Sequence, residues 1–383
     1  MNSDFIREAD SHNAEGWQVK LENVDFFITK EGAQLAPAVF HTGKGDIDPY
    51  HLTPWQDDDK SSMKGALKNL RGDFFCMPFG GNAEEFQGEK HPAHGEVTGD
   101  PWHLISAEQN GDTTEIKIGI TVKVRKADVV KTIKVNRNHS VFYFKHEITG
   151  ASGTLPLGHH PIVKMPEKGE HMYLSLGSFD FGMTCPGVFS DPAKEAYQIL
   201  DRGKEFDSIE RIPSLLRDTD TLDYSVFPSP YGFTDLFSVF KKPRKDPAWS
   251  VAVYPEKGYL WFALKDAAVL PSTTIWVSNS GRFFHPWNGH TYCIGIEDTC
   301  SFFAEGFKSS VEHNFLNDKG FRTASDLTGG LEIRHIQGVA PVPHDFGRVA
   351  DIRFLNGLAE FKDIHGKTVP VPVDHDFVMK SGK

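Results

Sequence analysis

The clearest pattern in the chain is a two-residue alternation over Thr114–Arg125. There Ile116, Ile118, Ile120, Val122 and Val124 take turns with Lys117, Gly119, Thr121, Lys123 and Arg125. A period of two puts one set of side chains on a buried face and the other in water, which predicts a half-buried β-strand. Val129–Val135 and Val141–Ile148 follow after short breaks containing Asn136 and Asn138, the layout of an antiparallel meander. Trp249–Tyr254, Tyr259–Leu264, Thr273–Ser278 and Thr291–Glu297 are further predicted strands, each bounded by Pro, Gly, Asn or Asp. Helical stretches are few and short; Lys194–Leu200 and Ser309–Leu316 are the best, and neither carries a long amphipathic stripe. Strand after strand without helical crossovers predicts an all-β fold, a sandwich or barrel.

The texture changes after Gly338. Val349–Phe354 and Leu358–Ile364 are short alternating pieces, and the proline-spaced KTVPVPV follows them. This predicts a main unit over 1–337 and a β-rich C-terminal extension over 338–383, packed on the main unit as an added hairpin. The charged KKPRKDP run, Lys241–Pro247, is expected as an exposed loop tip.

Composition narrows the function. The sequence holds 30 Phe, 9 Tyr and 7 Trp, suited to pleated half-buried surfaces, with 35 Gly and 23 Pro to supply turns. Its net charge of −11 argues against a nucleic-acid partner, which wants a basic face. No apolar run approaches the ~18 residues of a membrane span, and the opening MNSDFIREADSHNAEG lacks the layout of a secretion signal. The four cysteines, Cys76, Cys185, Cys293 and Cys300, are too scattered for a disulfide framework. These features lead us to expect a soluble, cytoplasmic protein with a large core.

Three places concentrate reactive side chains among turn residues. Arg71–Trp102 sets Arg71, His91, His94 and Glu96 between glycines and prolines, the mark of an irregular loop that something holds in place. LGHHPIVKMP places His159 and His160 directly before Pro161. Adjacent residues of an extended segment face opposite ways, so at most one of the two histidines is expected in any one site. TYCIGIEDTC ends an apolar strand on Glu297, with Asp298 next, and a buried carboxylate is costly unless paired or used. Taken singly, each residue also has an ordinary reading: His91 as a surface-loop histidine, His94 and His160 as satisfied core or turn histidines, Glu297 as half of a salt bridge. Gly80-Gly81 lacks phosphate-loop spacing, and neither GxSxG nor HExxH occurs.

The order of these clusters resembles the aldose 1-epimerase (galactose mutarotase-like) family. HGEVTGDPW, His94–Trp102, is similar to the family's first histidine motif. GHHPIV places His160 on the second, TDLF offers Asp235 for its aspartate, and CIGIEDT places Glu297 on its catalytic glutamate. SDLTGGLEIRH is similar to the closing strand, and the resemblance spans roughly Phe26 to Ile336. The chain departs from the pattern at Glu96 after the histidine-glycine pair, at Ile162-Val163 in place of two aromatics, and in its doubled histidine.

The resemblance implies a large antiparallel β-sandwich, the galactose mutarotase-like supersandwich, with few short helices. It also implies an enzyme that interconverts sugar anomers by acid–base ring opening. Glu297 would be the base and His160 the acid, with His94 bonding the sugar ring. Arg71, Asp235, His159, Trp102 and Glu96 would complete the substrate site. The only implied partner is a small-molecule sugar; no cofactor or metal is required, and the oligomeric state stays open. Trp261 and Trp287 join Trp102 as residues able to stack on a sugar face. Two alternatives remain open on the same scaffold. One is a lyase or hydrolase acting on a glycan or uronate, with His91, His94, His159 and Glu297 holding a metal. The other is a non-catalytic sugar-binding protein. The acidic balance and the single arginine in a site motif favour a neutral or weakly charged sugar over a phosphosugar.

Overall fold

A computed structural model describes residues 4–382. Two large antiparallel sheets form the body. The nine-stranded sheet runs in the order Val226–Phe227, Met172–Ser175, Ala248–Tyr254, Tyr259–Lys265, Leu331–Pro341, Val141–Thr149, Ala127–Asn136, Thr113–Val122, His103–Asn110. The eight-stranded sheet is centred on Phe233–Phe240, Ser272–Asn279 and Tyr292–Cys300, with Leu157–His159 and Ile162–Lys164 both pairing with the last of these. A five-stranded N-terminal sheet, Ile6–Asp10 through Gly45–Ile47, adds Trp17, Phe26, Ile28 and Phe40 to the same main core.

The predicted alternation decides what lies between the sheets. Ile116, Ile118 and Ile120 are buried in the main core, as are Phe237, Ile275, Val277, Ile294 and Ile296 from the facing sheet. The fold is therefore the expected all-β sandwich. Among the described residues no helix is long and apolar enough to cross a membrane, and all four cysteines are buried and unpaired.

The local structure departs from expectation at several places. The strand Leu331–Pro341 runs through Gly338 without a break. The extension is a three-stranded sheet, Val349–Leu355, Leu358–Asp363 and Thr368–Pro372. Its Ile352, Phe361 and Val371 pack with Val253, Phe262 and Ile336 on the outer face of the nine-stranded sheet. Lys194–Leu200 is not a helix. A single turn at Pro192–Lys194 ends at Glu195, whose φ of 55° lies in the left-handed region, and the Asp235 carboxylate then accepts from the N–H groups of Ile199 and Leu200. Ser309–Leu316 is split between two short helices, Phe307–Val311 and Phe315–Asp318, the second capped by the Asn314 side chain. Of the charged loop, Lys242–Asp246 is exposed, but Lys241 is buried and donates to the carbonyls of Leu176 and Trp249.

Candidate functional site

Tyr292–Cys300 carries two different rows of side chains. Ile294, Ile296 and Cys300 face the main core, and Asp298 shares their parity. Cys293, Gly295 and Glu297 form the other row, on the outer face of the eight-stranded sheet. The strand does not end at Glu297, as expected from sequence, but runs on to Cys300.

The neighbouring chain brings His160 opposite Glu297. His159 pairs with Asp298 and Ile162 with Gly295, and the intervening His160-Pro161 breaks the ladder because proline has no N–H to donate. His160 stacks on Phe74 at 4.5 Å, and its Nε2 lies 3.2 Å from Glu297 Oε1. Its buried Nδ1 has no partner among the described residues. A bare lone pair there costs less than an orphaned N–H, which places the proton on Nε2, donated to Glu297.

His94 arrives from the irregular loop. Its φ is 60°, and Gly95 follows at 84°, where an added Cβ would meet the Met77 carbonyl oxygen at 1.8 Å. Only glycine fits, which gives the histidine-glycine pair a steric reason. Gly80 N–H donates to His94 Nδ1 at 3.4 Å, and the Cys76 thiol sits 3.5 Å from the same atom. Nδ1 is thus an acceptor, and the proton is on Nε2.

These three residues line a cavity of about 440 Å³, within the usual size of small-molecule sites. Trp276, Trp287, Phe189, Leu236, Arg282 and, at the mouth, exposed Lys64 complete most of its wall. Burial pushes the Glu297 carboxyl well above the ordinary range, and the Arg282 cation offsets only part of that rise. Burial lowers His94 to about 4 and drives His160 well below its ordinary value, with His94 adding to the latter. Both imidazoles are therefore neutral at neutral pH. Arg282 is lowered by burial to about 10 and remains a cation. Its guanidinium lies 4.8 Å from the Trp287 ring centroid, 4.9 Å from Phe189 and 5.9 Å from Trp276.

The other expected site residues lie elsewhere. Arg71 is fully buried away from the cavity; it donates to Gln56 Oε1 at 2.6 Å and to the carbonyls of Asn69, Ser11, His12 and Ala36. Asp235 accepts from Tyr224 OH at 2.7 Å as well as from the two backbone amides that it holds. Trp102 is a core residue bonded to the Val97 carbonyl, and Trp261 is wholly buried in the main core. Glu96 accepts from the backbone of Lys123 and Val124. His91 is buried and pairs with Glu89 at 2.7 Å.

His159 points into the sandwich, as the opposite-face argument requires. There it joins a buried polar network. His159 Nδ1 contacts Asp73 at 3.2 Å, Lys131 lies 3.6 Å from Asp73, and Gln337 bonds Asp73 at 2.7 Å. Asp298 takes Lys265 at 2.7 Å, His335 at 2.8 Å and Thr273 at 2.8 Å. His91, His94, His159 and Glu297 therefore do not converge, and among the described residues no group of His, Cys, Asp and Glu is placed to hold a metal.

The sequence reading missed Arg282 and Trp276 as site residues. A signal for the first existed in RFFHPWNGH, an aromatic, Gly/Pro-bearing loop just before the Glu297 strand. Nothing local marked the Trp276 face.

No protein-family profile matches the chain, and no curated protein matches it in sequence. Solved structures do. A provisionally assigned mutarotase from Salmonella typhimurium superposes with a TM-score of 0.58 at 11% identity, over 89% of this chain and 95% of that one. A provisionally assigned aldose 1-epimerase from Klebsiella pneumoniae gives 0.58 at 13% identity, over 88% and 83%. A galactose mutarotase-like protein from Clostridium acetobutylicum gives 0.56 at 11%, over 88% and 97%. The chain has the galactose mutarotase-like fold.

Proposed function

We propose that the cavity binds a sugar ring and that Glu297 and His160 interconvert its anomers. The observation that carries this reading is the 3.2 Å contact between His160 Nε2 and Glu297 Oε1, in a cavity walled by the indoles of Trp276 and Trp287. Anomer interconversion needs a proton removed from the anomeric hydroxyl and another delivered to the ring oxygen. These two oxygens sit on one carbon, so an adjacent acceptor and donor can serve both. Glu297 takes the hydroxyl proton as the carbonyl forms at C1. The bond from C1 to the ring oxygen breaks while His160 Nε2–H hydrogen-bonds that oxygen, and the proton taken up by Glu297 passes to it. Glu297 is thereby returned to its carboxylate form and His160 keeps its proton, so both residues end as they began.

Burial raises the proton affinity of Glu297, which makes its carboxylate a stronger base than an exposed one. His94, with its proton on Nε2, is a donor for a ring or hydroxyl oxygen. The indole faces offer stacking surface for the apolar side of a pyranose. Donation to carboxylate and ring oxygen inside an apolar wall is stronger than in water.

The test is exchange spectroscopy on equilibrated sugar anomers with and without the protein. Acceleration of the α-to-β exchange, lost in Glu297→Gln, supports the reading. Tight sugar binding with no acceleration would instead identify a non-catalytic sugar-binding protein.

A further inference from the structure

We propose that the ligand of this cavity is a sugar acid and that Arg282 receives its carboxylate. The inference rests on the reading of the cavity as a sugar site and names the substrate class within it.

Among the described residues five lysines and arginines are buried, Lys60, Arg71, Lys131, Lys241 and Lys265, and each is provided for within the fold. Lys131 and Lys265 have carboxylates, and Lys60, Arg71 and Lys241 have carbonyl or amide oxygens. Arg282 is the contrast. It lines the cavity, and among the described residues no hydrogen bond or ion pair engages its guanidinium. The rings of Phe189, Trp276 and Trp287 surround the cation and hold it by cation–π attraction. An aromatic face is at most a weak acceptor, so the N–H groups keep their capacity for a stronger one. Those donors form a rigid fork that matches a carboxylate through two parallel bonds.

Charge balance selects among anions. Glu297 is the only carboxyl group that the described residues place on the wall, and its Oε1 is engaged by His160 Nε2 rather than by the guanidinium. The second cation, Lys64, is exposed at the mouth. One caged guanidinium neutralises a monoanion. A phosphate dianion would leave a surplus negative charge against a largely apolar wall. In a hexuronate the carboxyl group is carried on C5, bonded to the ring oxygen. An anchor there leaves the ring oxygen and the anomeric hydroxyl for the His160 and Glu297 end. This revises the expectation of a neutral sugar, which rested on Arg71 being the only arginine in a site motif.

The experiment is calorimetric titration with D-glucuronate and D-galacturonate, each against its parent hexose, and with D-glucose 6-phosphate. The proteins are wild type, Arg282→Gln and Arg282→Lys. We expect at least one uronate to bind the wild type at least tenfold more tightly than its hexose, with the advantage shrinking as salt rises. Arg282→Gln should bring that ratio close to one, and Arg282→Lys should restore part of it. A wild type that binds hexoses as tightly as uronates, or that binds the phosphate most tightly, overturns the proposal even if the variants do not fold. Anomer exchange measured on the same samples separates the two readings. An Arg282-dependent uronate preference without accelerated exchange keeps the carboxylate site and removes the epimerase. Accelerated hexose exchange without a uronate preference does the reverse.

Discussion

Glu297 and Asp298 are consecutive in sequence, yet their carboxyl groups stand on opposite faces of one sheet. Glu297 borders an open cavity and contacts a neutral imidazole, whereas Asp298 is locked between Lys265 and His335 inside the sandwich. Their proton affinities diverge accordingly. Burial drives Glu297 up, while for Asp298 the Lys265 charge and the His335 bond outweigh burial and hold it well below the ordinary range.

The first prediction is that Glu297→Gln lowers the exchange rate by about two to four orders of magnitude, the range for loss of a general base. The urea midpoint should change little, because glutamine can still accept from His160. A variant with full activity would exclude Glu297 as the base.

Asp298→Ala should give the opposite profile. It strands Lys265 as an unpaired buried cation, which destabilises a fold by about 3–5 kcal/mol. Denaturant unfolding should show this loss, and a variant as stable as wild type would contradict the network. Asp298→Ala/Lys265→Met removes both charges and should recover much of the stability.

Gly295 offers a test of geometry without touching a reactive group. A Cβ there would lie 2.6 Å from Glu297 Oε1 and 3.2 Å from the Trp276 ring. Gly295→Ala should displace the carboxylate and slow exchange at least tenfold, since small misplacements of a reacting group are costly. Overpacking should take about 1–3 kcal/mol from stability. Unchanged turnover would mean that the carboxylate position is not critical.

The sequence made the strands legible because their alternation is local: Thr114–Arg125, read from five apolar residues, corresponds to the strand Thr113–Val122. It also led to His94, His160 and Glu297, which the fold gathers on one cavity. Arg71 misled because its partners, the carbonyls of Ser11 and His12 among them, come from a distant turn that no local pattern announces. Asp235 and Glu96 misled in the same way, being carboxylates used to hold backbone amides. Arg282 was obscured for the converse reason: its cage takes Phe189 and Trp276 from other parts of the chain.

Acid should weaken the fold in a defined window. His51, His94 and His159 are each lowered by burial from 6.5 to about 4. Between those values the unfolded chain binds more protons at these three sites than the folded one, so their contribution to stability rises with pH there and falls on acidification. A tenfold difference in proton affinity is worth about 1.4 kcal/mol, so the three together amount to several kcal/mol. Asp73, pulled down to about 2 by His159 and Lys131 against the effect of burial, adds a second loss as pH falls below 3.8. Urea midpoints measured from pH 7 to pH 4 should fall steadily below about pH 6.5. A flat profile would contradict neutral burial of these imidazoles.

Leu331–Pro341 lies between Val141–Thr149 and Tyr259–Lys265 and is the strand through which the two halves of the nine-stranded sheet are joined. On the ribosome, both halves emerge long before it does. Each must wait with an unpaired edge, Val141–Thr149 on one and Tyr259–Lys265 on the other, and such edges recruit other chains. The segment that completes the sheet is thus also the one that closes these two edges. The interval before it is made is where a chaperone would matter most.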